Sequence, residues 1–523
     1  MGTNGFRGFL ITPLVLMIMV LAVACSGEEG SPGSGNARSA ILVIGDGMGI
    51  SHRSAIRLAT VGPEGSLEID SLPHSGLSHT LSVDPVEQVT DSDAGATAIA
   101  SGVKTYHGAV GVNPEGDEVT TVLEEAAEAG KSVGLVTTST VTDATPAAFA
   151  AHVENRDEQS EIARQYLEET RPDVILGGGR NYLGPAMLQR ADELGYDTAA
   201  NAKELEEAEG SRILGLLADD AMYQAGPEGE GATYDPAVQL HEMTSKAIEV
   251  LSRDEQGFFL LVEEEAIDEM SQANNAELML EAGRQLDEAV GVAKDYAEDN
   301  SDTLLVVAAD HETGGMSTED VGRDEVAASL SSGEDGPFQV AGSGSQFQVD
   351  WTTGDHTAVD VPIMAMGPGA GLFSGTYENM HLHDVIRDSL LREELAQRRR
   401  SHPKPGILEG TADMNEKRIS SGRDASHGIG IFSARTIALT PIALVLLYGL
   451  LIAFSPTCSF AILLQEENHL IEMLTFAFLL LGGTLGLALT WRVSRQGVSS
   501  PFVVGFYLLF SIGLLIVAME EVA

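Results

Sequence analysis

Positive charge is what this chain has least of. Its 523 residues include 30 Lys and Arg against 78 Asp and Glu, a formal net charge of −48. Lysine is confined to Lys104, Lys131, Lys203, Lys246, Lys294, Lys404 and Lys417. Such a surface repels a phosphate backbone, so nucleic acid is excluded as a partner. Abundant carboxylates with few lysines suit a protein that stays hydrated in high salt, where repulsion is screened; a merely acidic surface is the other reading. Cysteine is scarce as well. Cys25 and Cys458 stand in unlike surroundings and suggest no disulfide. Apolar residues, by contrast, make up 43% of the chain. That is enough for a substantial core, in a chain longer than one ordinary domain.

Both ends depart from the middle. Residues 1–24 read as a signal peptide: Arg7, an apolar run over 9–23, then Ala22-Val23-Ala24-Cys25. The run is short for a membrane span. Cleavage before Cys25 with lipidation of its thiol, followed by a polar tether over 25–38, is one reading, and ordinary cleavage at the Ala-x-Ala pattern is the other. Both place the body of the chain outside the cytoplasmic membrane, on the periplasmic or cell-surface side. Residues 396–436 form a basic, turn-rich linker with Arg398-Arg399-Arg400, Pro403, Pro405 and Lys417-Arg418. Apolar segments follow at 437–454, 471–491 and 502–519, each near the ~20 residues a membrane helix needs. They predict three transmembrane helices over 437–520 and a membrane-anchored protein, with a hairpin of buried soluble helices as the alternative. The basic residues favour a cytoplasmic linker, against the export signal, so the orientation of the spans stays open.

Between the ends, residues 39–395 read as one α/β domain. Apolar runs at 40–44, 133–137, 174–176, 258–262, 303–308 and 362–366 alternate with helical stretches at 121–129, 158–169, 238–251 and 276–297. Gly- and Glu-rich stretches at 200–235 and 318–350 read as surface insertions. Several runs end in metal-ligand residues: Asp46 after the first, Glu263 after the fourth, Asp310-His311 after the fifth, with "TGDH" at 353–356 beyond. In open α/β sheets sites are built at the carboxyl edge. Carboxylates and imidazoles converging there repel one another unless cations lie between them. A mixed oxygen and nitrogen set suits zinc, and an all-oxygen set magnesium. A cation also answers the puzzle of "VTDSDAGATAIASGVKTYHGAVGV", where Ser92 stands between Asp91 and Asp93. Carboxylates alone do not make a serine nucleophilic. A metal and the N-terminal dipole of the following helix do.

These segments, in this order, resemble the alkaline phosphatase family over about residues 40–390. "ILVIGDGMG" resembles its first strand and metal aspartate. The Ser92 segment resembles its nucleophile region, and "TDATPAAFAAHVENR" the segment bearing a magnesium threonine and a phosphate-clamping arginine. "LVEEEAID", "AADHETGG" and "GDHT" resemble the remaining metal segments. The resemblance implies a central, mostly parallel β-sheet with helices on both faces. It also implies a metal-dependent hydrolase of phosphate monoesters working through a phosphoserine. Carried over residue by residue, it makes Ser92 the nucleophile and Arg156 the phosphate clamp. One Zn2+ falls to Asp46, Asp310 and His311, a second to Asp268 and His356, and Mg2+ to Asp46, Thr145 and Glu263. A homodimer is implied too. Two positions depart from the pattern. Gln272 stands where a zinc histidine usually follows Asp268 by one helical turn, and Glu264 stands where glycine usually follows the magnesium glutamate. An amide is a weaker zinc ligand than imidazole, so the second site is expected to be loose, to hold another ion or to recruit a nearby carboxylate. Asp93 reads as a solvated or capping residue and Asp143 as a partner of magnesium-bound water. His107, His152, His381 and His383 read as structural or surface groups. Competing functions are a phosphodiesterase or sulfatase on the same scaffold, or a weakly active domain that binds metal or phosphate. The C/S-x-P-x-R context of sulfatases is missing around Ser92.

Overall fold

Apolar runs that do not alternate with polar residues make strands covered on both faces. The computed structural model describes residues 36–321 and 334–392, and within them such runs build one ten-stranded sheet. In chain order its strands are β1 (Ser39–Gly45), β2 (His74–His79), β3 (Ser132–Thr140), β4 (Val174–Gly178) and β5 (Asp197–Ala199), then β6 (Ile213–Leu216), β7 (Phe258–Glu264), β8 (Thr303–Ala308), β9 (Val361–Met366) and β10 (Gly375–Glu378). Across the sheet they lie in the order β10-β2-β9-β8-β1-β7-β3-β4-β6-β5. Every neighbouring pair is parallel except those of β9, which runs against both β8 and β2. All residues of β1, β7 and β8 are buried.

Helices cover both faces, as adjacent residues of β7 show. Side chains alternate across a strand. Phe258 meets Tyr296 with ring centroids 5.6 Å apart, and Phe259 stacks on Phe149 at 5.9 Å. The helices of interest are α1 (Ile50–Thr60), α2 (Ser92–Ser101), α3 (Val122–Glu128), α4 (Ala144–Ala150), α5 (Leu240–Leu251), α6 (Ala266–Gln272), α7 (Ala276–Asp299) and α8 (Met380–Leu390). Tyr296 belongs to α7, which packs with α1 and α5; Phe149 belongs to α4, which packs with α2 and α3.

The six apolar runs all become strands of this sheet. Strands β2, β5, β6 and β10 lie outside those runs; β2 (HSGLSH) is polar and only partly buried. The stretch 200–235, expected as a surface insertion, contributes the buried strand β6. It also contributes a ribbon pairing Tyr223–Gln224 with Thr233–Tyr234, from which Tyr234 reaches into the interior. The stretch near 318–350 forms a three-stranded sheet of its own. The signal peptide, the linker at 396–436 and the three apolar segments at 437–520 lie outside the described residues. Among the described residues no helix is long and apolar enough to cross a membrane.

Candidate active site

The central trio β8, β1 and β7 delivers the first acidic groups to one place. Parallel pairing sets Ile44 beside both Ala308 and Glu263. Asp46, Glu263 and the Asp310-His311 pair therefore emerge together at the carboxyl edge of the sheet. Helix α2 brings Ser92 to the same edge. Asp91 is its N-cap, accepting from Ala94 N–H at 2.9 Å, so Ser92 is the first helical residue. All ten residues of α2 are buried. Small side chains allow this: a Cβ on Gly95 would lie 3.1 Å from the Asp310 carbonyl oxygen. A larger residue there would push Ser92 away from the sheet.

Ser92 Oγ lies 3.1 Å from His311 Nε2. The same nitrogen is 3.3 Å from Asp46 Oδ1 and 3.4 Å from Asp310 Oδ2. Those two oxygens are buried and have no hydrogen-bond partner. Burial pushes the Asp46 carboxyl well up from its ordinary value, aided by the charges of Asp310 and Asp268. Burial likewise raises Asp310 to about 7 and lowers His311 to about 3, the latter with help from His356. Burial thus disfavours the charged form of both groups, and among the described residues no hydrogen-bond donor reaches the two orphaned carboxylate oxygens. Asp46, Asp310 and His311 each offer an atom to one small volume, as do Asp268, His311 and His356. Donors of these types, with orphaned buried oxygens among them, fit divalent cations.

The second group is tied together from α6 and a loop. Asp268 and Gln272 are one helical turn apart on α6 and face the same way. Gln272 Nε2 donates to Asp268 Oδ2 at 2.7 Å and lies 3.1 Å from His356 Nε2. The residue in the place of the usual histidine thus faces the metal-ligand group. Thr313 Oγ1 bonds to Asp268 Oδ1 and lies 3.2 Å from His311 Nδ1. The His311 and His356 rings stack with centroids 3.6 Å apart. Although burial opposes it, the Asp268 carboxylate holds His356 up at about 9. Glu263 accepts from Thr137 Oγ1 at 2.6 Å. Burial raises its carboxyl to about 8, and the Thr137 and Thr145 hydroxyls oppose the shift. Thr145, from the first turn of α4, lines the cavity with Asp46 and Glu263.

Arg156 closes the site. Its guanidinium donates to Asp93 Oδ2 at 3.0 Å and to Asp143 Oδ1 at 2.5 Å. Asp93 is therefore neither solvated nor a cap. It is fully buried and paired with a cation 63 residues away, because the second helical position of α2 turns inward. Asp143 caps α4 through Ala144 N–H and accepts from Ser139 as well as Arg156. All nine candidate site residues converge within this region, Asp310 and His311 as its buried floor. His107, His152 and His381 bond elsewhere, His152 to Glu124 and the Gly111 carbonyl, and His383 lies beside Asp384 and Glu125. Two lining carboxylates were missed in the sequence, Glu265 and Glu269. The run "EEEAIDE" was the available signal.

Beside the site lies Glu264, fully buried at the end of β7. Tyr234 Oη donates to its Oε2 at 2.6 Å, and Thr138 Oγ1 to its Oε1 at 2.8 Å. Burial raises Glu264 to about 7, with these two hydroxyls opposing. A side chain where glycine is usual is accommodated by the inward tyrosine of the 223–234 ribbon.

Comparison with known proteins gives one consistent result. The family model described as "Alkaline phosphatase" matches residues 37–344. Alkaline phosphatase 3 of Bacillus subtilis (strain 168) is 31% identical over 410 residues, covering 66% of this chain and 87% of its own. Streptomycin-6-phosphate phosphatase of Streptomyces griseus is 34% identical, covering 72% of this chain and 95% of its own. The solved alkaline phosphatase of the Antarctic bacterium TAB5 matches with a TM-score of 0.58 at 31% identity, over 68% of this chain and 98% of that one. A variant of that enzyme has Mg bound in its M3 site.

Proposed function

Since the chain belongs to the alkaline phosphatase family, and so is a phosphate-monoester hydrolase, we propose that Ser92 is its nucleophile and Arg156 its phosphate clamp. One observation carries this reading. The Ser92 hydroxyl sits at a helix N-terminus, 3.1 Å from His311 and beside two orphaned carboxylate oxygens, in a cavity that Arg156 also lines.

Ser92 Oγ attacks phosphorus and forms a phosphoserine as the ester P–O bond breaks and the alcohol departs with a proton. Water then cleaves the phosphoserine, restoring the hydroxyl and releasing inorganic phosphate. The Asp91 cap and the buried packing of α2 fix the direction from which the hydroxyl approaches. Arg156 contacts two phosphate oxygens through its planar fork, while Asp93 and Asp143 hold that fork in place. When bound, divalent cations supply the positive field at the serine and at the departing oxygen. From donor type, Asp46, Asp310 and His311 suit zinc, as do Asp268 and His356, whereas Asp46, Thr145 and Glu263 suit magnesium. Gln272 occupies the place of a third ligand in the second set. The relatives include enzymes named simply as alkaline phosphatases and one named for streptomycin 6-phosphate, so the physiological ester is set by what surrounds the leaving group. Export, attachment through 437–520 and pairing into dimers rest on the sequence alone.

The test compares a chromogenic phosphate monoester with the matching diester and sulfate ester, with and without chelator. Monoester turnover that chelation abolishes is expected. A phosphorylated peptide containing Ser92, trapped at mildly acidic pH, supports the assignment. Turnover by Ser92→Ala at the wild-type rate refutes it.

A further inference from the structure

One face of α6 and its leading residue carries four polar groups into the site. Glu265, Asp268, Glu269 and Gln272 follow an i, i+3, i+4, i+7 spacing, and all four line the cavity that also holds Ser92 and His356. Asp268 belongs to a metal-ligand group, and Gln272 is bonded to it. Glu265 and Glu269 have no such role. Glu265 is 7% exposed, and its buried Oε2 has no hydrogen-bond partner. Burial and the neighbouring carboxylates hold both carboxyls up from their ordinary value, outweighing Arg156 at both and His356 at Glu269. Arg156 itself is paired with Asp93 and Asp143, so among the described residues neither Glu265 nor Glu269 has a salt-bridge partner of its own.

Neither carboxylate belongs to a chelating set of acidic and histidine side chains. Among the described residues, the sets of three such side chains whose ligand atoms could share one ion lie around Asp46 and around Asp268, and neither includes Glu265 or Glu269. Carboxylates spread along a wall act on a cation at longer range, as an ammonium group does. Position favours the same answer. In-line attack from Ser92 sends the leaving group away from the serine; Asp46, Asp310 and His311 surround the serine, so of the two zinc sets the hydrolase reading leaves Asp268 and His356 for the departing oxygen. The wall adjoins that group.

We propose that this wall selects phosphate monoesters whose alcohol carries a positive charge, a substituted ammonium set a few bonds from the ester oxygen. The proposal rests on the hydrolase reading above. The two carboxylates attract the ammonium, leave a neutral leaving group unaided and oppose an anionic one.

The measurement is kcat/KM at low salt on three esters with the metal-loaded protein: choline phosphate, its uncharged isostere 3,3-dimethylbutyl phosphate, and phosphoglycolate. The isostere has the same shape, so the ratio is free of effects on fold or metal content, and the inductive pull of the ammonium on its leaving oxygen is the same in wild type and variant. A choline-to-isostere ratio of about tenfold or more is expected, shrinking as salt screens the wall. Phosphoglycolate should be the poorest substrate. In the double variant Glu265→Gln, Glu269→Gln the ratio should fall by about tenfold relative to wild type, whatever happens to the absolute rates. Wild-type ratios within about twofold of unity, or a ratio that the double variant leaves unchanged, overturn the proposal. If p-nitrophenyl phosphate is hydrolysed while the ratio is unity, this inference alone fails. If no monoester is turned over, the hydrolase reading fails and takes this one with it.

Discussion

Replacing Arg156 with alanine should produce two losses that can be separated. The guanidinium holds Asp93 at 3.0 Å and Asp143 at 2.5 Å. Asp143 keeps its bonds to Ser139 and to the Ala144 N–H, so its position survives. Asp93 keeps nothing comparable. It is fully buried, and its Oδ1 already lacks a partner. Burial pushes its carboxyl up, and Arg156 is the group that opposes this most. Breaking a fully buried pair costs about 3–5 kcal/mol. The Arg156 side chain is 36% exposed, so water reaches the vacated space and about 1–3 kcal/mol is the better figure. Loss of the proposed charge-assisted phosphate contact weakens phosphate binding by about 1–3 kcal/mol, roughly five- to 150-fold in the inhibition constant. The decisive protein is the double variant Asp93→Asn, Arg156→Ala. An amide is far cheaper to bury than an unpaired carboxylate, so stability should return while phosphate affinity stays low. Urea unfolding of the metal-loaded wild type, both singles and the double, with phosphate inhibition of each, reads both quantities. If Arg156→Ala is as stable as wild type, or if Asp93→Asn rescues nothing, Asp93 does not depend on Arg156 and the pairing argument is wrong.

Gln272→His should place an imidazole beside Asp268 and His356, where the amide now donates at 2.7 Å to the carboxylate. The variant should retain more zinc after mild chelation and turn over faster at low free zinc, by about tenfold in affinity; superimposable zinc titrations of the two proteins would remove Gln272 from the metal group. Removing metal should make stability fall with pH. Asp310 and Glu263, raised by burial to about 7 and 8, stabilise the fold while protonated. That contribution is complete below the unfolded carboxyl values near 4 and is lost as pH rises through 7 to 8. Chelated protein should therefore unfold at lower urea at pH 9 than at pH 5.5, and a flat profile would show that burial does not hold these two carboxyls up as described.

How much of this was legible depended on the distance over which each fact is decided. Asp46, Glu263 and Asp310 could be read because each stands at the end of an apolar run, and parallel neighbours bring such ends together. Gln272 could be placed because four residues on a helix is one turn. Asp93 could not. It differs from Asp91 only by helical phase, and its partner is 63 residues downstream. Strand β2 was missed because HSGLSH has almost no apolar residues; its place comes from pairing with β9 and β10. The insertion at 200–235 looked like surface because Gly and Glu dominate it, while one tyrosine decides its role.

That tyrosine makes two separate stretches of the chain a single heritable unit. Tyr234 and Glu264 stand 30 positions apart, and each is acceptable in the interior because of the other. A chimaera that exchanges the 223–234 ribbon for a shorter loop strands a carboxylate next to Glu263. One that restores glycine at 264 leaves a buried phenol with nothing to bond. The two segments have to be transplanted together. Among relatives that carry acid rather than glycine at this position, the ribbon and its tyrosine should travel with it.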